Sequence, residues 1–317
     1  MHACSLPTIV ANYAGRHTSW QWVNTAGHVK CAASLCGLPR LNADLHCHST
    51  VSDGLLAPAD VVRRAHGNGV ELLALTDHDE IGGLVEARAE ANALGMKFLD
   101  GTEISVSWGD DQTVHIVALG FDPAFKPLVD GLAQVRGGRD SRAMRMAEEL
   151  DKVGIHGAYE GALKYVGNPA LISRAHFARY IVELGHAKDV KSVFDWWLAK
   201  GKPGYVSHPW ATFEDAMGWI LGGGGIAVIA HPSRYRLSKA ELQQMFGVFK
   251  DLGGRGIEVI SGSHNAEMTH EYANVARKYG FLASRGSDFH GPGESYADLG
   301  KVPPLPEDLT PVWSEFF

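Results

Sequence analysis

Between Asn42 and Gly300 the chain alternates short apolar runs with stretches in which apolar residues recur every three or four positions. The first pattern predicts buried strands and the second amphipathic helices. Strands are expected at Ala43–His48, Glu71–Thr76, Lys97–Ser107, Val114–Phe121, Ile226–Ala230, Gly256–Ile260 and Phe281–Ser284. Helices are expected at Ala57–Asn68, with Pro58 in its first turn, and at Ile81–Leu94, closed by Gly95. Three more are expected at Phe213–Leu221, Ser238–Leu252 and Ala266–Tyr279, and Gly222–Gly225 reads as a loose helix-to-strand turn, since no Lys-Ser/Thr follows to make it a phosphate loop. This strand–helix rhythm implies an α/β fold, a parallel sheet or barrel with helices outside it.

The rhythm is interrupted once. From Asp122 to Ala216 helical patterns dominate, at Arg139–Val153, Ser173–Leu184 and Val190–Lys200, and Gly201–Trp210 reads as the return connection. The expected organisation is an irregular extension over residues 1–40, a barrel over 41–121 and 217–300, a helical insertion capping the site over 122–216, and an irregular Pro-rich tail over 301–317. Residues 1–40 lack a lasting period. The mildly apolar stretch Ser5 to Ala14 has no preceding positive charge, so an extension is expected there rather than a signal peptide. Trp196-Trp197 reads as core of the insertion rather than a base platform, and Tyr235 as packing rather than a stacking surface.

Composition changes this picture in three places. The 317 residues are 45% hydrophobic and 21% charged, with no run of about 18 apolar residues, which argues against a transmembrane helix. The net charge of -7 excludes a broad nucleic-acid-binding face, so any such substrate must be gripped locally. The 4 cysteines form no C-x-x-C pair, consistent with a reducing, cytoplasmic setting. The 16 histidines are the compositional anomaly.

Those histidines collect where the strands end. In an extended segment His46 and His48 point to one side and Cys47 to the other. Adding the other polar residues near strand ends gives His46, His48, Asp53, His78, Glu103, His115, His231, Asp288 and His290. α/β folds place their sites at that edge. Any single one of these histidines reads as a hydrogen-bonded interior residue. Six imidazoles and three carboxylates on one edge suit two or three divalent ions. Mn, Fe and Zn all accept this mix of nitrogen and oxygen donors, and Mn is the first expectation.

The ordered runs D-L-H-C-H-S-T-V-S-D-G, L-T-D-H-D, G-T-E-I-S, H-I-V-A-L-G, A-H-P and G-S-D-F-H resemble the motifs of the polymerase and histidinol phosphatase (PHP) superfamily, over about Asn42 to Gly300. The resemblance implies a distorted seven-stranded (β/α) barrel with a helical insertion and a trinuclear metal site, whose nine ligand positions are all filled here. By that pattern Glu103 bridges two ions. His46, His48 and Asp288 bind one of these, His115 and His231 the other, and Asp53, His78 and His290 the third. Within the superfamily the chain is most similar to a bacterial branch of 3′,5′-nucleoside bisphosphate phosphatases and 5′→3′ exoribonucleases. The run Asn168 to His176 and the stretch Phe194 to Tyr205 look like that branch's cap.

The implied reaction is hydrolysis of a phosphate ester, by in-line attack of a hydroxide held between ions, with His46, His48, Glu103, Asp288 and His290 at the reacting centre. The expected substrate is a nucleoside bisphosphate or a short single-stranded 5′-phosphorylated RNA, with no membrane and no obligate protein partner. Arginine is the usual fork for phosphate, so Arg142, Arg174, His176 and Arg234 are the expected phosphate-binding residues. Two other readings stay open: a phosphatase of a small non-nucleotide ester such as histidinol phosphate, and a non-catalytic metal- or RNA-binding module.

Overall fold

A computed structural model describes residues 41–109 and 112–317, so the extension expected over residues 1–40 lies outside the described residues. Seven strands form one sheet in chain order: β1 (Ala43–Asp44), β2 (Leu72–Leu75), β3 (Lys97–Trp108), β4 (Gln112–Leu119), β5 (Ile226–Ile229), β6 (Gly256–Ser261) and β7 (Leu282–Gly286). The sheet curls into a nearly closed barrel. Its ends meet where Leu45 N donates to Arg285 O (3.0 Å), Asp288 N to His46 O (2.8 Å) and His48 N to Phe289 O (2.8 Å). The regular strand expected through His48 is thus two residues long, and the segment beyond it runs extended against the β7 side.

The expectation of a wholly parallel barrel needs correction. β4 runs antiparallel to both β3 and β5, while the other pairs are parallel. No crossover helix separates β3 from β4. Strands joined by a few residues pair antiparallel, and Gly109 at φ +58° turns the chain there.

The all-apolar run of β2 follows from burial on both faces. Leu72 and Ala74 point into the barrel with Ala43, Leu99, Val117, Leu119 and Val228. Leu73 and Leu75 pack outward with Val61, Val62, Ala65, Ala87 and Ala91 of two helices, α1 (Pro58–Gly67) and α2 (Leu84–Ala93). The barrel interior is closed at one end by Val312 and Trp313, which lie on a short 3₁₀ turn. The tail expected to be irregular is therefore a plug, held also by Ala283 N donating to Thr310 O at 2.8 Å.

Between β4 and β5 run six helices: α3 (Lys126–Gly137), α4 (Arg139–Asp151), α5 (Ala158–Leu163), α6 (Arg174–Glu183), α7 (Val190–Val193) and α8 (Phe213–Gly222). α3 and α8 pack on the barrel's outer core through Leu128, Leu132, Met217 and Ile220. α4 to α7 bury a separate apolar cluster, including Met146, Leu150, Phe177, Ile181 and Leu198. The single helix expected over Val190–Lys200 is instead one α turn followed by a π turn, Phe194–Leu198. Nor do the adjacent tryptophans share a core. Trp197 is half-buried against His186, whereas Trp196 is 68% exposed. Successive helical residues face different directions, so a one-sided helix buries only one of such a pair. Two further helices, α9 (Lys239–Asp251) and α10 (Ala266–Tyr279), complete the outer layer.

Candidate metal centre

The barrel end opposite the plug gathers all nine strand-end residues. His46 and His48 follow β1, with Asp53 in the next loop. His78 follows β2, Glu103 lies on β3, His231 follows β5, and Asp288 and His290 follow β7. β4 delivers His115 near its beginning, because its reversed direction brings that end to the site. Two glycines make the approach possible. A Cβ on Gly286 would stand 2.3 Å from His46 Cβ, and one on Gly54 would stand 2.4 Å from His48 O. Asp79, His231 and Asp288 hold positive φ (50°, 24° and 51°), a conformation costing about 1–3 kcal/mol each and found at functional sites.

Glu103 is the hub and is fully buried. Its Oε1 lies 2.8 Å from both His115 Nδ1 and His231 Nε2. Its Oε2 lies 2.9 Å from His78 Nδ1, 3.3 Å from His46 Nε2 and 3.4 Å from His48 Nε2. Asp288 Oδ1 is 3.3 Å from His48 Nε2 and 3.6 Å from His46 Nε2 and His290 Nδ1. Asp53 Oδ1 is 3.4 Å from His290 Nε2 and 3.8 Å from His78 Nε2.

Four sets have ligand atoms within 4.8 Å of one another: His48, Asp53, His78 and His290; His46, His48 and Asp288; His46, Glu103 and His231; His78, Glu103 and His115. Within them His46 Nε2, both ring nitrogens of His48 and Asp53 Oδ1 are buried without a hydrogen bond. Buried polar atoms are ordinarily paired. Unpaired imidazole nitrogens converging with carboxylate oxygens are the donor set a divalent ion takes, so the cluster fits metal.

The electrostatics agree. Burial pushes the Glu103 and Asp288 carboxyls up, but their surroundings hold both well below the usual range: His115, His78 and His46 around Glu103, and Arg234 and His46 around Asp288. Burial, helped by His290 and His78, drives His48 down to about 3. His78 goes the other way, to about 9, because Glu103 and Asp53 outweigh its burial. The buried carboxylates sit in surroundings that favour their charged form, as a divalent ion would.

Several supporting residues were not foreseen from the sequence. Glu258 on β6 holds two candidate ligands, with Oε1 at 2.5 Å from His46 Nδ1 and Oε2 accepting from His231 N at 2.6 Å. Its one signal is an acid inside the apolar run Gly256–Ser261. Asp77 accepts from Ser49 N (2.8 Å), Ser49 Oγ (2.6 Å) and Ser52 Oγ (2.5 Å), fixing the loop after His48. Asp79 accepts from Ser105 N at 2.7 Å and pairs with buried Arg139 of α4. Both acids flank His78 in the D-H-D run. From α6, Arg179 donates to Asp53 O at 2.6 Å and pairs with Glu294, while Ser173 Oγ donates to Asp53 Oδ2 at 2.9 Å.

The four expected phosphate-binding residues differ in placement. Arg234 reaches the cluster, its Nη2 2.5 Å from Asp288 Oδ2. His176 is buried near Asp53, and its Nδ1 accepts from Ser173 N at 3.0 Å in a capping box, which leaves only Nε2 for a ligand. Arg142 is buried with its Nε on Val206 O (3.1 Å) and its guanidinium 5.3 Å from the Trp210 ring. Arg174 lies 5.5 Å over Phe194 and near Arg142. Tyr235 is buried, donating to Ala230 O at 2.6 Å, which is packing as expected.

A nearly closed seven-stranded barrel with an imidazole–carboxylate cluster at one end defines a class of metal-dependent hydrolases. The chain belongs to the PHP family, whose domain model matches residues 44–203. It is 51% identical over 274 residues to a 3′,5′-nucleoside bisphosphate phosphatase of Chromobacterium violaceum, covering 86% of this chain and 96% of that one. It is 39% identical over 272 residues to the 5′-3′ exoribonuclease Rnm of Escherichia coli, covering 85% and 92%. A solved structure of an amidohydrolase from Chromobacterium violaceum, with bound sulfate and no metal, superposes with a TM-score of 0.84 at 51% identity, over 86% of this chain and 95% of that one. Among the described residues no helix is long and apolar enough to cross a membrane.

Proposed function

We propose that this chain is a metal-dependent phosphoesterase acting on 5′-phosphorylated nucleotides, taking a 3′,5′-nucleoside bisphosphate or the 5′ end of a short RNA. The observation that carries the reading is the set of buried, unpaired imidazole and carboxylate atoms at the open end of the barrel. His46, His48 and Asp288 would hold one divalent ion, His115 and His231 a second, and Asp53, His78 and His290 a third. Glu103 would contribute to both of the first two. Bound there, such ions, with Mn²⁺ the first choice, supply Lewis-acid charge to phosphoryl oxygens and make water a nucleophile near neutral pH.

The chain's own groups position the ester. Glu258 fixes the ring of His46 through Nδ1 and so aims Nε2 at the cluster. Arg234 is poised to exchange Asp288 for a phosphate oxygen. Burial holds His176 neutral, at about 4, and with Nδ1 accepting from Ser173 its proton lies on Nε2, a donor for a second phosphate oxygen. Arg142 and Arg174 supply charge from the helical side.

The test is release of phosphate from adenosine 3′,5′-bisphosphate and of mononucleotides from a 5′-phosphorylated RNA pentamer by Mn-loaded protein, with Asp288→Ala as control. Turnover of either, abolished in the control, supports the reading. Stoichiometric metal with neither product overturns it.

A further inference from the structure

Resting on that reading, we infer that Tyr296 and Trp196 form a stacking platform outside the metal centre, holding the bases of a single-stranded oligonucleotide beyond its 5′ nucleotide. Both rings lie in water, 62% and 68% exposed. Exposure alone says little, and two further observations tie these rings to the site and to an anionic partner.

The first is placement. Ser295 Oγ accepts from the backbone N–H of His290 at 2.7 Å and of Gly291 at 3.1 Å, so the loop bearing Tyr296 is pinned to a candidate metal ligand. Glu294 of the same loop pairs with Arg179, which donates to Asp53 O at 2.6 Å. Tyr296 therefore stands at the mouth of the site. Trp196 belongs to the same helical stretch as Lys191, whose Nζ lies 5.5 Å from the Tyr296 ring centroid.

The second is charge. Each ring carries its own ammonium, Lys191 on Tyr296 and Lys202 on Trp196, the latter at 5.7 Å. From Val190 to Lys202 the sequence has three lysines against one acid, in a chain of net charge -7. The two acids beside Tyr296, Glu294 and Asp298, are already paired with Arg179 and Arg64. Aromatic faces flanked by cations bind single strands without reading sequence: bases stack on the rings and phosphates meet the cations. Holding bases beyond the 5′ nucleotide, the platform would distinguish a strand from a mononucleotide.

The experiment compares kcat/KM for a 5′-phosphorylated RNA pentamer with that for adenosine 3′,5′-bisphosphate, using the full Mn-loaded chain. The ratio of the two should fall roughly tenfold in Tyr296→Ala and in Trp196→Ala, within the range of one lost stack, and should survive in Tyr296→Phe. Lys191→Ala and Lys202→Ala should each flatten the dependence of log KM for the pentamer on log salt by about 0.7, a change that lost packing does not produce. Alanine variants that keep the full ratio overturn the platform. So does a dimer in wild type that Trp196→Ala dissociates, since the ring would then serve a second copy. Turnover of neither substrate removes the functional reading itself, and the platform with it.

Discussion

The two walls of the site are built from opposite chemistry. The barrel wall is carboxylate and imidazole: five histidines stand within 3.4 Å of Glu103, and several of their nitrogens have no hydrogen bond. The helical wall is guanidinium. Arg139 and Arg179 are spent on Asp79 and Glu294, and so brace the site. Arg142 and Arg174 pair with no acid among the described residues: burial and the neighbouring Arg174 and Arg139 lower Arg142, and burial lowers Arg174 against the pull of Tyr205 and Asp53. The barrel wall is rich in carboxylates with Arg234 as its one guanidinium partner among the described residues, and the helical wall keeps two arginines that pair with no acid there. On the proposed reading a phosphate ester together with divalent ions would satisfy both. The labour then divides, with metal assigned to the barrel and phosphate to the helices and Arg234.

The largest effect that tests this division is at the hub. Glu103→Gln keeps the volume but removes the charge that five imidazoles face. Bound metal should drop below full stoichiometry by elemental analysis, and kcat/KM should fall on the order of 10³-fold. Full metal content in this variant would break the comparison at its barrel side. Glu258→Gln comes next. It leaves the candidate ligands in place but weakens the partner that orients His46, so metal affinity should fall roughly 10- to 100-fold, with activity recovering as metal is raised. Arg174→Ala probes the other wall. KM should rise roughly tenfold, the worth of a charged hydrogen bond, at unchanged metal content. Loss of metal there would show that the walls are not independent.

The barrel wall was the legible one. Histidines and acids at strand ends carry their chemistry in their identity, and a period of two assigns His46 and His48 to one face without a structure. Glu258 was not legible, because one acid in an apolar strand looks the same whether it meets solvent or a ligand's ring. The direction of β4 was not legible, because a strand-and-helix rhythm implies crossovers and a single glycine such as Gly109 does not announce a tight turn. The plug at Val312 and Trp313 was hidden because Pro-rich texture says nothing about where isolated apolar residues dock. The helical wall was least legible. A charged helix face looks alike whether its arginines meet water, as Trp196 does, or brace Asp53 and Asp79.

The smallest expected effect bears on that bracing. Arg179 is 4% exposed and touches both Asp53 O and Glu294, which is 18% exposed. Glu294→Gln leaves Arg179 its carbonyl and some access to water, so the cost should stay well under that of a fully buried broken pair, at about 1–2 kcal/mol. A fall of roughly 2–4 °C in the melting temperature is expected. The decisive reading is the same melt with Mn²⁺ added. If α6 only covers the site, metal should raise the variant and the wild type equally, because the ligand-linked gain depends on affinity alone. If the gain shrinks in the variant, Arg179 is setting the position of Asp53, and a residue of the helical wall is acting on the metal held by the barrel.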